Sequence, residues 1–252
     1  MTVEAFIAAL QLPASARVDR RVPKTLLVEH GAPTPADKKR INEGIEEVYW
    51  IATLKPTTIG VQAWRDEIRE YSEIAVLSVT LRPDANSQRL ESLLHRAVPY
   101  PVFLIMTEGS GVTLCLAPKR WSQNDPGAVV LDGDPVSVEM MESDSEVIRG
   151  AFHEALALAR QPRGDLCQLY QSWIDSLLAL LAARVTGTFA MPNDPARGAA
   201  RAAALRECSR LEAKINHLRS AAGKERQMAK QVELNLELKR AEAAQSAART
   251  QL

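Results

Sequence analysis

Side chains able to do chemistry are present in this chain, but their spacing builds none of the arrangements that chemistry requires. A magnesium-dependent nuclease site of the restriction type needs a carboxylate and a lysine, as D/E-x-K, on a central strand. The comparable strand here closes on Thr80-Leu81-Arg82, without the carboxylate. Glu73, Asp84 and Glu108 lie near strand ends and are the acids left to converge on a metal, against an ordinary role in capping and solvation. His30, His95, His153 and His217 show no metal spacing and no Cys or Ser partner that sequence identifies, so surface or half-buried histidines are expected. Cys115, Cys167 and Cys208 are odd in number and far apart, and they contain no C-x-x-C, which points to neither a disulfide framework nor a zinc site. There is no G-x-x-x-x-G-K-[ST] loop, and Gly109-Ser110-Gly111 reads as a turn. Trp50, Trp64, Trp121 and Trp173 are expected in packing rather than in a ligand cage. No catalytic, metal-binding or cofactor-binding residue is expected.

The charges are more informative. The chain has 252 residues and a formal net charge of zero, yet from Arg197 onward it carries 12 Lys and Arg against 6 Asp and Glu. The preceding body is acidic by the same margin. A basic tail binds nucleic acid, a partner, or the acidic body itself. A second basic concentration, Arg17, Arg20, Arg21 and Lys24 with Lys38, Lys39 and Arg40, reads as a solvated surface or as a phosphate-binding face for DNA.

The elements that carry these residues form an α/β (α+β) pattern: an N-terminal body with a mixed sheet, then helices, then a long coiled-coil-like helix. Residues 23–28 (PKTLLV) read as a short strand. Thr34-Pro35-Ala36-Asp37 is a helix start, with a cap, a proline in the first helical position and an acid at the third. Ile41, Ile45 and Val48 then extend that helix to about Tyr49. YWIATLKP reads as strand or turn, and residues 72–82 as the clearest strand, followed by a helix over 87–98. PVFLIMT and VTLCL, joined through EGSG, predict a hairpin. KRWSQNDPGAVVLDGDP is loop-rich with one short strand at its centre, and helices follow over 144–160 and 166–185. The expected organisation is a body over 1–142, a helical extension over 143–186 and a linker over 187–198. A single helix is expected over 199–252, on the order of 75 Å long at about 1.5 Å per residue.

That last helix has a heptad seam. Cys208, Ile215, Ala222, Ala229 and Leu236 take one core position, and Leu211, Leu218, Glu225, Val232 and Lys239 the other. A coiled coil or helical hairpin is expected. In a parallel self-pair Glu207 would face Glu212 and Lys214 would face Arg219, so antiparallel self-association, folding back or a different protein partner fits better. In this register Lys214, Arg219, Lys224, Arg226 and Lys230 scatter around the helix, with no aromatic among them for base stacking. The N-terminal MTVEAFIAAL has no basic lead-in, and the greasy run from Ile174 to Val185 is too short to span a bilayer. A cytoplasmic protein with no membrane partner is expected.

Five segments in order, VPKTLLVEHG, PADKKRINEGIEEVYWIATLKPTTIGV, EIAVLSVTLR, AVPYPVFLIM and KERQMAKQVELNLELKR, together resemble the bacterial family catalogued as domain of unknown function 4391. The resemblance runs from about Val22 to Arg240 and offers no catalytic residues to carry over. It implies a locus shared with SNF2-like or DEAD-box helicases and DNA methyltransferases, of a restriction or anti-phage kind. An accessory, non-enzymatic interaction subunit of such a system is the leading expectation, and a DNA-binding subunit or divergent nuclease the alternative. The terminal helix is then the docking element. Arg226, Gln227, Glu233 and Asn235 supply polar contacts to the partner, and Ile215, Leu218, Val232 and Leu236 supply burial.

Overall fold

The computed structural model describes residues 2–252 apart from 124, 126 and 127, so that part of the expected loop after Trp121 lies outside the described residues. The chain divides into two compact units, residues 1–177 and 178–252.

The first unit is built on a six-stranded sheet. Helix α1 (Val3–Ala9) precedes edge strand β1 (Arg17–Arg21); α2 (Lys24–Gly31) and α3 (Pro35–Gly44) then lead into β2 (Ile45–Leu54). The short α4 (Pro56–Ile59) and the small hairpin β3 (Trp64–Arg65) with β4 (Glu70–Tyr71) precede β5 (Ile74–Leu81). Helix α5 (Ser87–Ala97) carries the chain back to β6 (Val102–Glu108), and β7 (Gly111–Leu116) returns as a hairpin. A second small hairpin, β8 (Lys119–Trp121) with β9 (Val129–Leu131), precedes β10 (Val136–Glu139). The sheet order is β1-β2-β5-β6-β7-β10, with β5 and β6 parallel and every other neighbour antiparallel. It is therefore mixed, as expected.

One face of the sheet packs on α2, α3 and α5 through Leu27, Ile41, Leu90, Leu93 and Leu94. On the other face lie α6 (Glu146–Leu156) and the start of α7 (Leu166–Thr186). Trp173 of α7 meets Phe103 of β6 edge-on at 5.1 Å and donates its indole N–H to the Leu156 carbonyl at 2.9 Å. Tyr170 places its hydroxyl between β6 and β7, accepting from Ala117 N at 2.9 Å and donating to Val102 O at 2.8 Å. Burial on both sides explains why β5 is nearly continuously apolar.

Two expectations for the first hundred residues fail. Residues 23–28 are not a strand: Lys24–Gly31 is helix α2. Its β-branched and leucine content favours neither state decisively, and close packing on α5 decides. A Cβ on Gly31 would stand 2.7 Å from both Ala97 Cβ and the Leu93 carbonyl, so only glycine admits that approach. The helix begun at Thr34, whose hydroxyl accepts from Asp37 N at 3.2 Å, stops at Gly44 rather than Tyr49, and Ile45 and Val48 belong to β2. Register shifts between Ile45 and Glu47 and between Trp50 and Ala52 insert extra residues into β2. Those bulges turn a period of two into a spacing of three, which imitates a helix face.

The second unit holds the end of α7, then α8 (Pro195–Lys224) and α9 (Met228–Arg249). Asp194 caps α8, accepting from Arg197 N at 2.8 Å, with Pro195 at the first helical position. The segment read as linker thus gives its last residues to α8. The expected single helix is two helices, because the chain reverses at Glu225–Gln227. There the Glu225 carboxylate accepts the N–H groups of Arg226 and Gln227, each at 2.8 Å, at the start of α9. Those backbone hydrogen bonds, that of Gln227 first, hold its carboxyl below the usual range.

Candidate functional site

The hairpin of α8 and α9 holds all the residues expected to dock a partner. Along α8 the seam holds: Cys208, Leu211, Ile215, Leu218 and Ala222 are all buried. Leu211, Ile215 and Leu218 pack with Ala241, flanked by Leu234 and Leu238 of α9. Polar ties set the antiparallel register. Gln231 Nε2 donates to Ala222 O at 3.2 Å, Gln245 Nε2 to Cys208 O at 3.5 Å, and Arg219 pairs with Glu242 at 2.7 Å. On α9 the residues facing α8 are therefore Gln231, Leu234, Leu238, Ala241 and Gln245. That seam runs two residues later than the one extrapolated along an unbroken helix.

The shift separates the expected docking residues into two groups. Ile215 and Leu218, each 4% exposed, supply burial inside the hairpin itself. Val232 and Leu236 lie outside it at 54% and 51% exposure, in line with Met228 at 76%. Met228, Val232 and Leu236 are spaced i, i+4, i+8 and so form one stripe on the side of α9 turned from α8. Glu233 and Asn235 are exposed beside it, and Arg226 and Gln227 form the turn. An amphipathic helix needs one apolar face to pack, and α9 has a second.

The N-terminal basic residues are spread over several elements. Arg17, Arg20 and Arg21 line the exposed edge strand β1, where Arg17 forks onto Asp19 at 2.7 and 2.9 Å. Lys24 turns inward and donates to the carbonyls of Asn42 and Ile45, and its desolvation lowers its pKa. Arg21 and Lys24 line a cleft of about 330 Å³, but Glu46 and Glu47 line it too and counter their charge. Lys38 is exposed, Lys39 lies 3.9 Å from Glu43, and Arg40 pairs with Asp37. Asp37 is buried and held chiefly by the Arg89 guanidinium, through two bonds of 2.8 and 2.9 Å that tie α3 to α5. With the Thr34 hydroxyl, Arg89 keeps its carboxyl well below the usual range.

A buried polar network was hidden from the sequence. His95, expected to be a surface or half-buried residue, is fully buried with Nε2 at 3.3 Å from Cys115 Sγ. Cys115 also reaches Glu91 Oε2 at 3.7 Å, and Glu91 accepts from the Ser137 hydroxyl at 2.8 Å. The one sequence signal was the i, i+4 spacing of Glu91 and His95 on α5; the partners on β7 and β10 needed the sheet. Burial pushes the Cys115 thiol up and Glu91 up, and brings His95 down to about 3. A protonated thiol beside a neutral imidazole, with both buried, is a packing network rather than a nucleophile. Next to it Lys119 Nζ donates to the carbonyls of His95, Val98 and Tyr100 where α5 ends, and burial pulls it down to about 7.

Glu73 immediately precedes β5, whereas Asp84 follows β5 and Glu108 is the last residue of the parallel strand β6, at the opposite end, so the three do not converge. Among the described residues no group of three His, Cys, Asp or Glu is placed to hold a metal ion, and no helix is long and apolar enough to cross a membrane.

No curated protein and no solved structure matches the chain. One family model does, over residues 10–244, and that span covers nearly every element described above. The chain therefore belongs to the family described as domain of unknown function (DUF4391).

Proposed function

We propose that the protein is a non-enzymatic interaction subunit that docks on a protein partner through the outer face of α9. The observation that carries this reading is the stripe Met228, Val232 and Leu236, exposed on a helix whose other face is already packed against α8. Exposed apolar side chains at helical spacing cost solvation unless something covers them, and helix-in-groove recognition reads such i, i+4 anchors. The partner proposed is a helicase or DNA methyltransferase of a restriction-like, anti-phage system, with the site of action in the bacterial cytoplasm. A DNA-binding subunit or divergent nuclease of the same system is the second reading. Thr80-Leu81-Arg82 at the end of β5 argues against its nuclease form.

The test is co-purification of the tagged full chain with the helicase or methyltransferase of its own locus, compared with the variant carrying Val232→Glu and Leu236→Glu. Both substitutions are on exposed positions, so helicity by circular dichroism is expected to be unchanged. Recovery of the partner with the native chain and its loss with the variant supports the reading. Equal recovery, or none with either, removes it.

A further inference from the structure

A different face of the hairpin, independent of the α9 stripe, carries a charge pattern of its own. On α8 the exposed residues Arg206, Arg210, Lys214, His217 and Lys224 are separated by four, four, three and seven positions. At about 100° per residue these all fall within roughly 80° of arc, and from Arg206 to Lys224 they extend about 27 Å along the helix. No carboxylate stands in that arc. Glu207 borders it and is held by Arg210 at 2.6 and 2.7 Å, and Glu212 lies on the far side of the helix. Between Arg206 and Lys224 the arc otherwise holds only Ala221, and the exposed Ser209, Ala213 and Ser220 border it, so no bulky side chain obstructs the stripe.

The geometry points to a site for the phosphate backbone of double-stranded nucleic acid along this face of α8. Arg206, Lys214 and Lys224 are permanent cations along one helix face, with Arg210 beside them paired to Glu207, and a row of this kind matches a polyanion of fixed shape and brings no means of reading bases. Residues 195–252 contain no Phe, Tyr or Trp, so the face lacks the stacking platforms on which single strands are held. It also lacks the Leu, Phe or Trp that a membrane-surface helix inserts beside its basic residues. A sequence-independent duplex contact is what remains.

Binding of the full chain to a fluorescent duplex of about 25 base pairs and arbitrary sequence, read by anisotropy, tests this. With three phosphates neutralised the logarithmic salt slope is about −2.7, so affinity falls roughly fortyfold from 50 to 200 mM salt. Arg206→Gln with Lys214→Gln keeps helix-forming side chains and is expected to reduce the slope by about two. Arg20→Gln with Arg21→Gln on β1 leaves it unchanged, and so does the Val232→Glu, Leu236→Glu variant, which separates this inference from the docking reading. Absence of duplex binding at 50 mM salt overturns the proposal. A slope unaffected by the α8 substitutions does the same, as does preferential binding to anionic phosphatidylserine vesicles.

Discussion

Replacing Lys119 by methionine leaves three carbonyls at the end of α5 without a donor. The ammonium bonds the His95, Val98 and Tyr100 oxygens, the first at 2.6 Å, and so closes the end of α5 against β8. Each buried acceptor left unmet costs about 1–3 kcal/mol. Relief from desolvating the ammonium returns part of that sum, leaving a net loss of about 2–4 kcal/mol. For a unit of this size the melting temperature then falls by roughly 5–15 °C. Urea unfolding followed by the fluorescence of Trp173, which is wholly buried, reads the loss. Hydrogen exchange over residues 95–101 locates it. Lys38→Met, at an exposed position, is the control and is expected to stay within about 0.5 kcal/mol. A Lys119→Met protein as stable as the native chain, with unchanged exchange over 95–101, would refute the argument that these three carbonyls depend on the lysine.

Glycine substitutions in two helices are expected to have opposite signs. Gly31→Ala forces a methyl against Ala97 and the Leu93 carbonyl and destabilises by about 1–3 kcal/mol. Gly150→Ala in α6, with nothing within 4 Å of the new Cβ, stabilises by about 0.5–1 kcal/mol. Urea midpoints of the two variants distinguish these outcomes, and a stabilised Gly31→Ala would count against the close α2–α5 approach. In the hairpin, Ile215→Ala is expected to cost about 2–5 kcal/mol and to speed amide exchange in α8 and α9, whereas Val232→Ala costs under about 1 kcal/mol; similar effects would mean the seam is misassigned. His95 gives a pH signature. Unfolded, its imidazole takes a proton near pH 6.5, but folded only near 3, so its contribution is complete above 6.5 and declines by about 1.4 kcal/mol per unit as pH falls below that. Glu91, raised by burial, works in the opposite direction, so the measurement is the difference between native and His95→Leu stabilities from pH 6.5 to 4.5. Parallel curves would show that His95 is not buried neutral.

What the sequence made legible followed from local rules that tertiary structure left intact. The Thr34 helix start rests on capping and proline chemistry within four residues. The β6–β7 hairpin announced itself through EGSG between two apolar runs, and the mixed sheet through its strand-like segments. What stayed hidden depended on residues distant in sequence. Strand β2 looked helical because its bulges are defined only by pairing with β5. Helix α2 needed Ala97 to explain Gly31. The turn at Glu225–Gln227 contains neither proline nor a positive-φ glycine, since Glu225 folds its own side chain back onto the next two amides. This reversal displaces the α9 seam by two residues from the heptad register of α8 and determines which apolar side chains face outward. The row of cations on α8 is masked in the sequence because Arg219 on the same helix, with Arg226 and Lys230 at and beyond the turn, falls outside its arc.

The order of the main sheet also bears on how the protein is made. Strands β1, β2, β5, β6, β7 and β10 stand side by side in the sequence in which the chain supplies them, and the two small hairpins are side excursions. On the ribosome, where the N-terminal part is available first, each new strand meets a growing edge that is already present. None has to be threaded between two strands that have paired. Only the β5–β6 junction must wait, because a parallel neighbour cannot form until α5 has been synthesised to bring the chain back. Nascent chains halted far enough downstream for Leu54, Leu81 or Leu116 to have left the ribosome would then hold two, three and five strands of the final sheet, each in its final neighbourhood.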